Sequence, residues 1–144
     1  MPADLHAAAS ARLARVDGRY TRQRQGLVEL LAGAGQPLTA EEILARAGGV
    51  PQSSLYRNLA VLEETGVVHR LAGESGMARF ELAEELTGHH HHLVCSSCGA
   101  MTDVELPTAL ETTLGHALDE ISRAQRFSIR GHRLDVVGVC ASCG

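Results

Sequence analysis

Residues 88–99 read GHHHHLVCSSCG: four successive histidines, then Leu93 and Val94, then Cys95-Ser-Ser-Cys98. Imidazole nitrogen and thiolate sulfur are both strong ligands for zinc and its neighbours in the first transition row. The Cys-x-x-Cys pattern recurs at Cys140-Ala-Ser-Cys143, which accounts for all four cysteines of the chain. Each pair can offer two thiolates from a single turn, and two such turns close the tetrahedral shell of a structural zinc ion. Disulfides or a redox dithiol are the alternatives, but a doubled Cys-x-x-Cys in a chain of cytoplasmic character points to metal first. The pairs stand 41 residues apart, too far for a compact zinc ribbon, so a helix and strands must lie between them.

The histidines need a separate account. On an extended backbone successive side chains alternate, so His89 and His91 project to one side while His90 and His92 project to the other. Imidazoles that face opposite ways cannot hold one ion. The run is therefore expected to feed two sites, each completed by carboxylates or further imidazoles. A merely solvated polar loop is the alternative, and the direct abutment on a thiolate site argues against it.

These ligands must be positioned by neighbouring elements. Apolar spacing predicts helices over 4–16 and 22–33, the second capped by Thr21 and ended by Gly33 and Gly35. Thr39-Ala-Glu-Glu42 is a capping box that opens a short helix through Ala47. Ser53 or Ser54 is expected to cap a helix through Glu64 with Leu55, Leu59 and Leu62 inward. Two extended runs, 67–71 and 78–82, form a hairpin. Helices followed by a hairpin make a winged helix-turn-helix, whose 53–64 helix would be offered to a DNA major groove. Beyond it, strands near 89–94 and 100–106, a helix from Pro107 to about Arg126 and a strand over 133–139 predict a small α/β unit. Leu110, Leu114, Leu118 and Ile121 form one apolar stripe on that helix. The fold class is α+β: a winged-helix DNA-binding domain over 1–84, a hinge at 85–88, and a dimerisation and metal-binding domain over 89–144.

Charge is unevenly spread. Residues 1–58 carry seven Arg against five acids, and residues 59–144 carry six Arg against twelve, for the net −4. An acidic total does not exclude nucleic acid when basic groups gather on one face, as in Arg19-Tyr20-Thr21-Arg22-Gln23-Arg24. No stretch approaches a membrane span and the N-terminal residues lack a secretory pattern, so the chain reads as soluble and cytoplasmic, with no membrane partner.

The chain resembles the ferric uptake regulator (Fur) family of metal-dependent bacterial repressors, which has zinc-responsive and peroxide-responsive branches. The resemblance spans about residues 19–144. It rests on Arg19-Tyr-Thr-Arg-Gln-Arg24, Ser53-Ser-Leu-Tyr-Arg57-Asn-Leu59, Arg79-Phe-Glu-Leu82, the His89–Gly99 run, and His132 placed eight residues before Cys140. It implies a structural Zn2+ on Cys95, Cys98, Cys140 and Cys143. It implies a second site on His89, His91, His132 and an acid of the long helix, for which Glu111 is the best candidate. It further implies a regulatory site on His90, His92 and Glu81, filled by Zn2+ or by Fe2+ or Mn2+. On DNA, Tyr56 would meet thymine methyls, Arg57 a phosphate or base edge, and Ser53 and Ser54 a phosphate at the helix start. Arg19 would reach toward the minor groove, supported by Arg22 and Arg24. The partners implied are a second copy of the chain and a palindromic, AT-rich DNA operator.

The chain also departs from the family pattern. Gln36-Pro37 stands where many members have a histidine ligand, and Ala83 stands where many zinc-sensing members have a cysteine. His69 is therefore expected as a substitute fourth ligand of the regulatory site. Asp103 falls where peroxide-sensing members place a ligand, whereas His6 and His116 read as solvent-facing. The leading expectation is a zinc-sensing repressor, with iron, manganese or peroxide response as the alternative within the family. A small zinc metalloenzyme or a zinc-storage protein is the alternative from another class. No general base stands beside an open metal position, so no catalytic residue is assigned.

Overall fold

Thr21 and Thr39 begin two of the N-terminal helices in the computed structural model, which describes residues 3–73 and 76–144. The elements run α1 (Ala3–Ala14), α2 (Arg22–Gly33), β1 (Leu38–Thr39), α3 (Ala40–Arg46), α4 (Gln52–Glu64), β2 (Val68–Ala72) and β3 (Ala78–Leu82). After them come α5 (Glu84–Thr87), β4 (His91–Cys95), β5 (Met101–Val104), α6 (Thr108–Gln125) and β6 (Asp135–Gly138). Thr21 accepts the Arg24 N–H at 3.3 Å and Thr39 the Glu42 N–H at 3.1 Å, which satisfies donors that a helix start leaves free. The serine cap expected for α4 is absent. Pro51, with φ −61°, presets the first turn one step earlier and leaves Ser53 and Ser54 inside the helix.

The first half is a winged helix. Its three strands pair antiparallel in the order β1-β3-β2, with His69 directly opposite Glu81 across the β2–β3 pair. Leu27, Leu31, Ile43, Leu55, Leu59 and Leu62 from α2, α3 and α4 are buried against that sheet. Asn58 is the polar exception. It accepts the Arg24 Nε–H at 3.0 Å and donates to Gln23 at 3.0 Å, so its buried amide is paired on both sides and pins α4 to α2.

The second half has a far smaller core. Strand β4 lies between β5, antiparallel, and β6, parallel. Its buried apolar cluster is Val94 and Met101 with Leu71 of the wing, and α6 buries no residue at all. The apolar stripe expected on α6 is present without a partner: Leu110 and Ile121 are each about half exposed. The link expected at 85–88 carries a single helical turn, α5, ended by Gly88 at φ +100°, a backbone angle that disfavours a side chain. The observed β4 begins only at His91, so His89 and His90 precede the paired strand.

Candidate metal centres and nucleic-acid interface

The cysteine pairs converge because β6 runs parallel to β4 and delivers Cys140 beside Cys95. All four Sγ atoms lie within 4.8 Å of one another, and Cys98 and Cys140 stand 3.8 Å apart. A tetrahedral Zn–S shell of ~2.3 Å bonds has sulfur–sulfur edges of about 3.8 Å, so the spacing fits zinc. The N–H groups of Cys140 and Cys98 point at Cys95 Sγ from 3.3 and 3.5 Å. Those backbone donors bring the Cys95 thiol down to about 6, into the range where the thiolate a metal requires is present at neutral pH. Cys143, crowded by the sulfurs of Cys140 and Cys98, is pushed up to about 12.

A second cluster forms on one face of β4. The Nε2 atoms of His91 and His132 each lie 3.1 Å from His89 Nε2. Glu111, one turn into α6, closes the group: its carboxylate is 2.5 Å from His91 Nε2, 3.2 Å from His132 Nε2 and 3.3 Å from His89 Nε2. Burial raises the Glu111 carboxyl, but the hydrogen bond from His91 and the charges of His89, His91 and His132 outweigh it and hold the group below its ordinary value. Three ring nitrogens and a carboxylate aimed at one point, with His91 almost wholly buried, make a fit donor set for a divalent cation.

A third cluster occupies the opposite face and joins the two halves of the chain. Glu81 Oε2, from β3, is 2.8 Å from His90 Nε2 and 2.9 Å from His92 Nε2. Asp103 Oδ1 stands 3.6 and 3.5 Å from the same nitrogens, is buried, and has no hydrogen-bond donor. A buried acceptor left in that state is costly, and a cation at the centre of the group would satisfy it. Burial pushes Glu81 upward, yet its hydrogen bonds with His92 and His90 win and lower it. For His90, burial is likewise outweighed by Glu81, and for His92 the Glu81 hydrogen bond leads; both rings are raised. Asp103 is raised, chiefly by burial.

This third cluster corrects one expectation. His69 is not among the side chains whose ligand atoms converge there. It sits exposed on β2, one strand spacing (about 4.8 Å) from Glu81, and borders a cavity of about 720 Å³ between the two halves. Asp103, the in-register partner of His92 on β5, takes the fourth position instead. His6 is also not free: its ring bonds Tyr20 Oη at 2.5 Å and Glu29 at 3.1 Å. His116 is exposed on α6, as expected.

Residues 15–137 match the Ferric uptake regulator family. The chain belongs to that family. It is 33% identical over 131 residues to the ferric uptake regulation protein of Bacillus subtilis, covering 87% of this chain and 85% of that one. It is 32% identical over 133 residues to the peroxide operon regulator of the same bacterium, covering 87% and 83%. Among solved structures it resembles the Vibrio cholerae ferric uptake regulator, with a TM-score of 0.70 at 26% identity over 91% of this chain and 98% of that chain. Family members are metal-responsive, DNA-binding transcription regulators that act as dimers, not enzymes, so the metalloenzyme reading falls.

In this Fur-family chain the outer face of α4 carries Ser53, Tyr56 and Arg57. Tyr56 is 51% exposed, a large apolar ring held in water, and among the described residues no ion pair engages Arg57. Arg19, just ahead of α2, is exposed as well. Arg24, expected to support it toward DNA, is used inside the domain instead, bonding Asn58 and the Arg19 carbonyl at 3.0 and 2.7 Å. No helix among the described residues is long and apolar enough to cross a membrane.

Proposed function

We propose that this chain is a metal-activated transcriptional repressor of metal-homeostasis genes, acting as a homodimer on a palindromic, AT-rich operator. One observation carries the reading: Glu81 comes from the wing sheet, whereas His90, His92 and Asp103 come from the second half. A divalent cation supplies the positive charge that two carboxylates and two imidazoles can share. Glu81 then ties β3 to β4. Asp103 adds a second tie, since its backbone N–H donates to the Gly35 carbonyl of the DNA-binding half at 3.2 Å. Only an arrangement of the halves that brings these groups together gains from metal, and that difference in affinity selects it. Turning a 1:99 mixture into 99:1 needs roughly 10⁴-fold tighter binding to the favoured arrangement.

The homodimer reading is supported by the uncovered apolar surface of the second half. Leu110, Ile121, Phe127, Val136 and Val139 are each about half exposed or more, on elements with too small a core of their own. The four cysteines are read as a permanent structural zinc site. Zinc is also the metal we assign to sensing, because three imidazoles with one carboxylate on the His91 face, and two with two on the His92 face, suit a borderline cation. A second reading, iron or manganese, is favoured by one finding: Asp103 in place of His69 makes the inter-domain set half carboxylate.

The test is fluorescence anisotropy on an AT-rich palindromic duplex, titrated with Zn2+, Fe2+ and Mn2+, for wild type and His92→Ala. Metal-dependent binding that His92→Ala abolishes is expected, with Zn2+ acting at the lowest free concentration. Binding that ignores metal, or no binding with any of the three, would overturn the repressor reading and leave storage as the better description.

A further inference from the structure

We propose that Glu84 is the positioning residue of the His89/His91/Glu111/His132 centre and links that centre to the DNA-binding half. The inference rests on the reading that this centre holds a divalent cation. Glu84 Oε2 lies 2.9 Å from His89 Nδ1. A carboxylate can only accept, so the hydrogen of the neutral ring sits on Nδ1 and the lone pair sits on Nε2. Nε2 is the atom that faces His91, His132 and Glu111. Glu84 therefore selects the one tautomer of His89 that can ligate, and it fixes the plane of the ring.

No other ring of the histidine run has so close an outer partner. His90 Nδ1 meets the Gly88 carbonyl at 3.3 Å, His92 Nδ1 meets Asp135 at 3.5 Å, and His91 Nδ1 is buried with no partner. Glu84 also grips the backbone on the way to His89: its own carbonyl accepts the Gly88 N–H at 2.7 Å. It thus holds the link twice, once through the main chain before His89 and once through the side chain on His89 itself. Its helix α5 is anchored in the first half. The Ala83 N–H donates to the Val67 carbonyl at 3.0 Å, Leu86 packs on the main core, and α5 lies against α1. Glu111 and His132 reach the centre from the second half, so Glu84 is the side chain through which this centre touches the first.

Both partners are partly exposed, so the pair orients a ligand more than it stabilises the fold. The effect should therefore appear in metal affinity and tautomer, and not in the stability of the metal-free protein. The test uses the full chain with its cysteine site loaded, in a His92→Ala background, so that competition between Zn2+ and a chromophoric chelator reads this centre alone. Glu84→Ala is expected to weaken Zn2+ binding by about 10- to 100-fold, the range seen when a residue that orients a ligand histidine is lost. Glu84→Gln, which keeps an acceptor oxygen, should recover most of it, and Glu85→Ala should match the parent. Long-range 15N–1H spectra of the metal-loaded protein should show His89 protonated at Nδ1, and the metal-free Glu84→Ala protein should show mixed tautomers. Unchanged affinity in Glu84→Ala, an equal loss in Glu85→Ala, or a Glu84→Gln as weak as Glu84→Ala would overturn the proposal. The centre itself is checked separately: His132→Ala should remove one equivalent of Zn2+, and an unchanged stoichiometry there would refute the site, not the role of Glu84.

Discussion

Replacing Cys140 with serine should melt the second half of the chain while leaving the first half folded. Strand β6 is held to β4 by its parallel pairing, by the Ser96 N–H on the Gly138 carbonyl at 2.8 Å, and by the cysteine cluster; all four of its residues are exposed. The second half contributes Val94 and Met101 to its buried cluster. At about 1.5–3 kcal/mol for each fully buried apolar side chain, they supply about 3–6 kcal/mol. A structural zinc site contributes an apparent ~10–16 kcal/mol at neutral pH, as much as the whole net stability of an ordinary domain. Zinc held by the four cysteines would therefore stabilise this half more than its apolar core does, and losing one thiolate should leave β4, β5 and β6 without enough to hold them. Hydrogen exchange followed by mass spectrometry reads this directly. Peptides covering 91–104 and 133–144 should lose protection in Cys140→Ser, while those covering Leu27–Leu31 and Leu55–Leu62, inside the larger core, should keep theirs. Full protection of the β4–β6 pair in the variant, or simultaneous loss in both halves, would refute the reasoning.

Further outcomes follow from the same geometry. Asp103→Ala should raise the metal concentration for half-maximal operator binding at least ~10-fold, since even supporting residues cost that much; His69→Ala should leave it within about twofold, as fits a residue outside the cluster. Arg57→Ala should weaken operator binding by about 1–3 kcal/mol without lowering the melting temperature, and a flatter salt dependence would assign the contact to phosphate and not to a base. Tyr20 is raised to about 12 by burial and then by the charge of Glu29. Because its folded value lies above the ordinary ~10, the stability its protonated phenol contributes is intact below that pH and lost as pH rises through about 12. An alkaline absorbance titration of Tyr56→Phe, which leaves Tyr20 as the sole tyrosine, should show that late transition.

The histidine partition was legible because it needs only an extended backbone. His89 and His90 lie outside the paired strand, yet their rings still fall to opposite sides and join different clusters. The cysteine clamp was legible for a similar reason, since each pair is one local turn. What escaped depends on register between distant segments. Asp103 joins the third cluster because β5 pairs antiparallel with β4 and sets it opposite His92, a pairing that no local pattern encodes. The resemblance marks Asp103 as a ligand position of peroxide-sensing members, and the alternation of β5 around Met101 and Asp103 is a further clue. His69 looked suitable because the hairpin does set it opposite Glu81, but sharing a rung with one ligand does not bring a ring to the ion. Arg24 and His6 read as surface residues because each lies on an exposed helix side, and only the approach of α4 or of Glu29 on α2 gives them partners. Ser53 and Ser54 lost the capping role to Pro51, whose fixed φ begins the helix without a side-chain bond.

Anomalous diffraction from crystals of the metal-loaded chain, collected at the metal edge, tests the central claim most directly. Three peaks per chain are expected: one among the four cysteines, one bounded by His89, His91, His132 and Glu111, and one bounded by His90, His92, Glu81 and Asp103. A single peak shared by neighbouring histidines would contradict the two-faced ribbon, and a His90/His92 ion that does not touch Glu81 of the wing would contradict the metal lock between the halves.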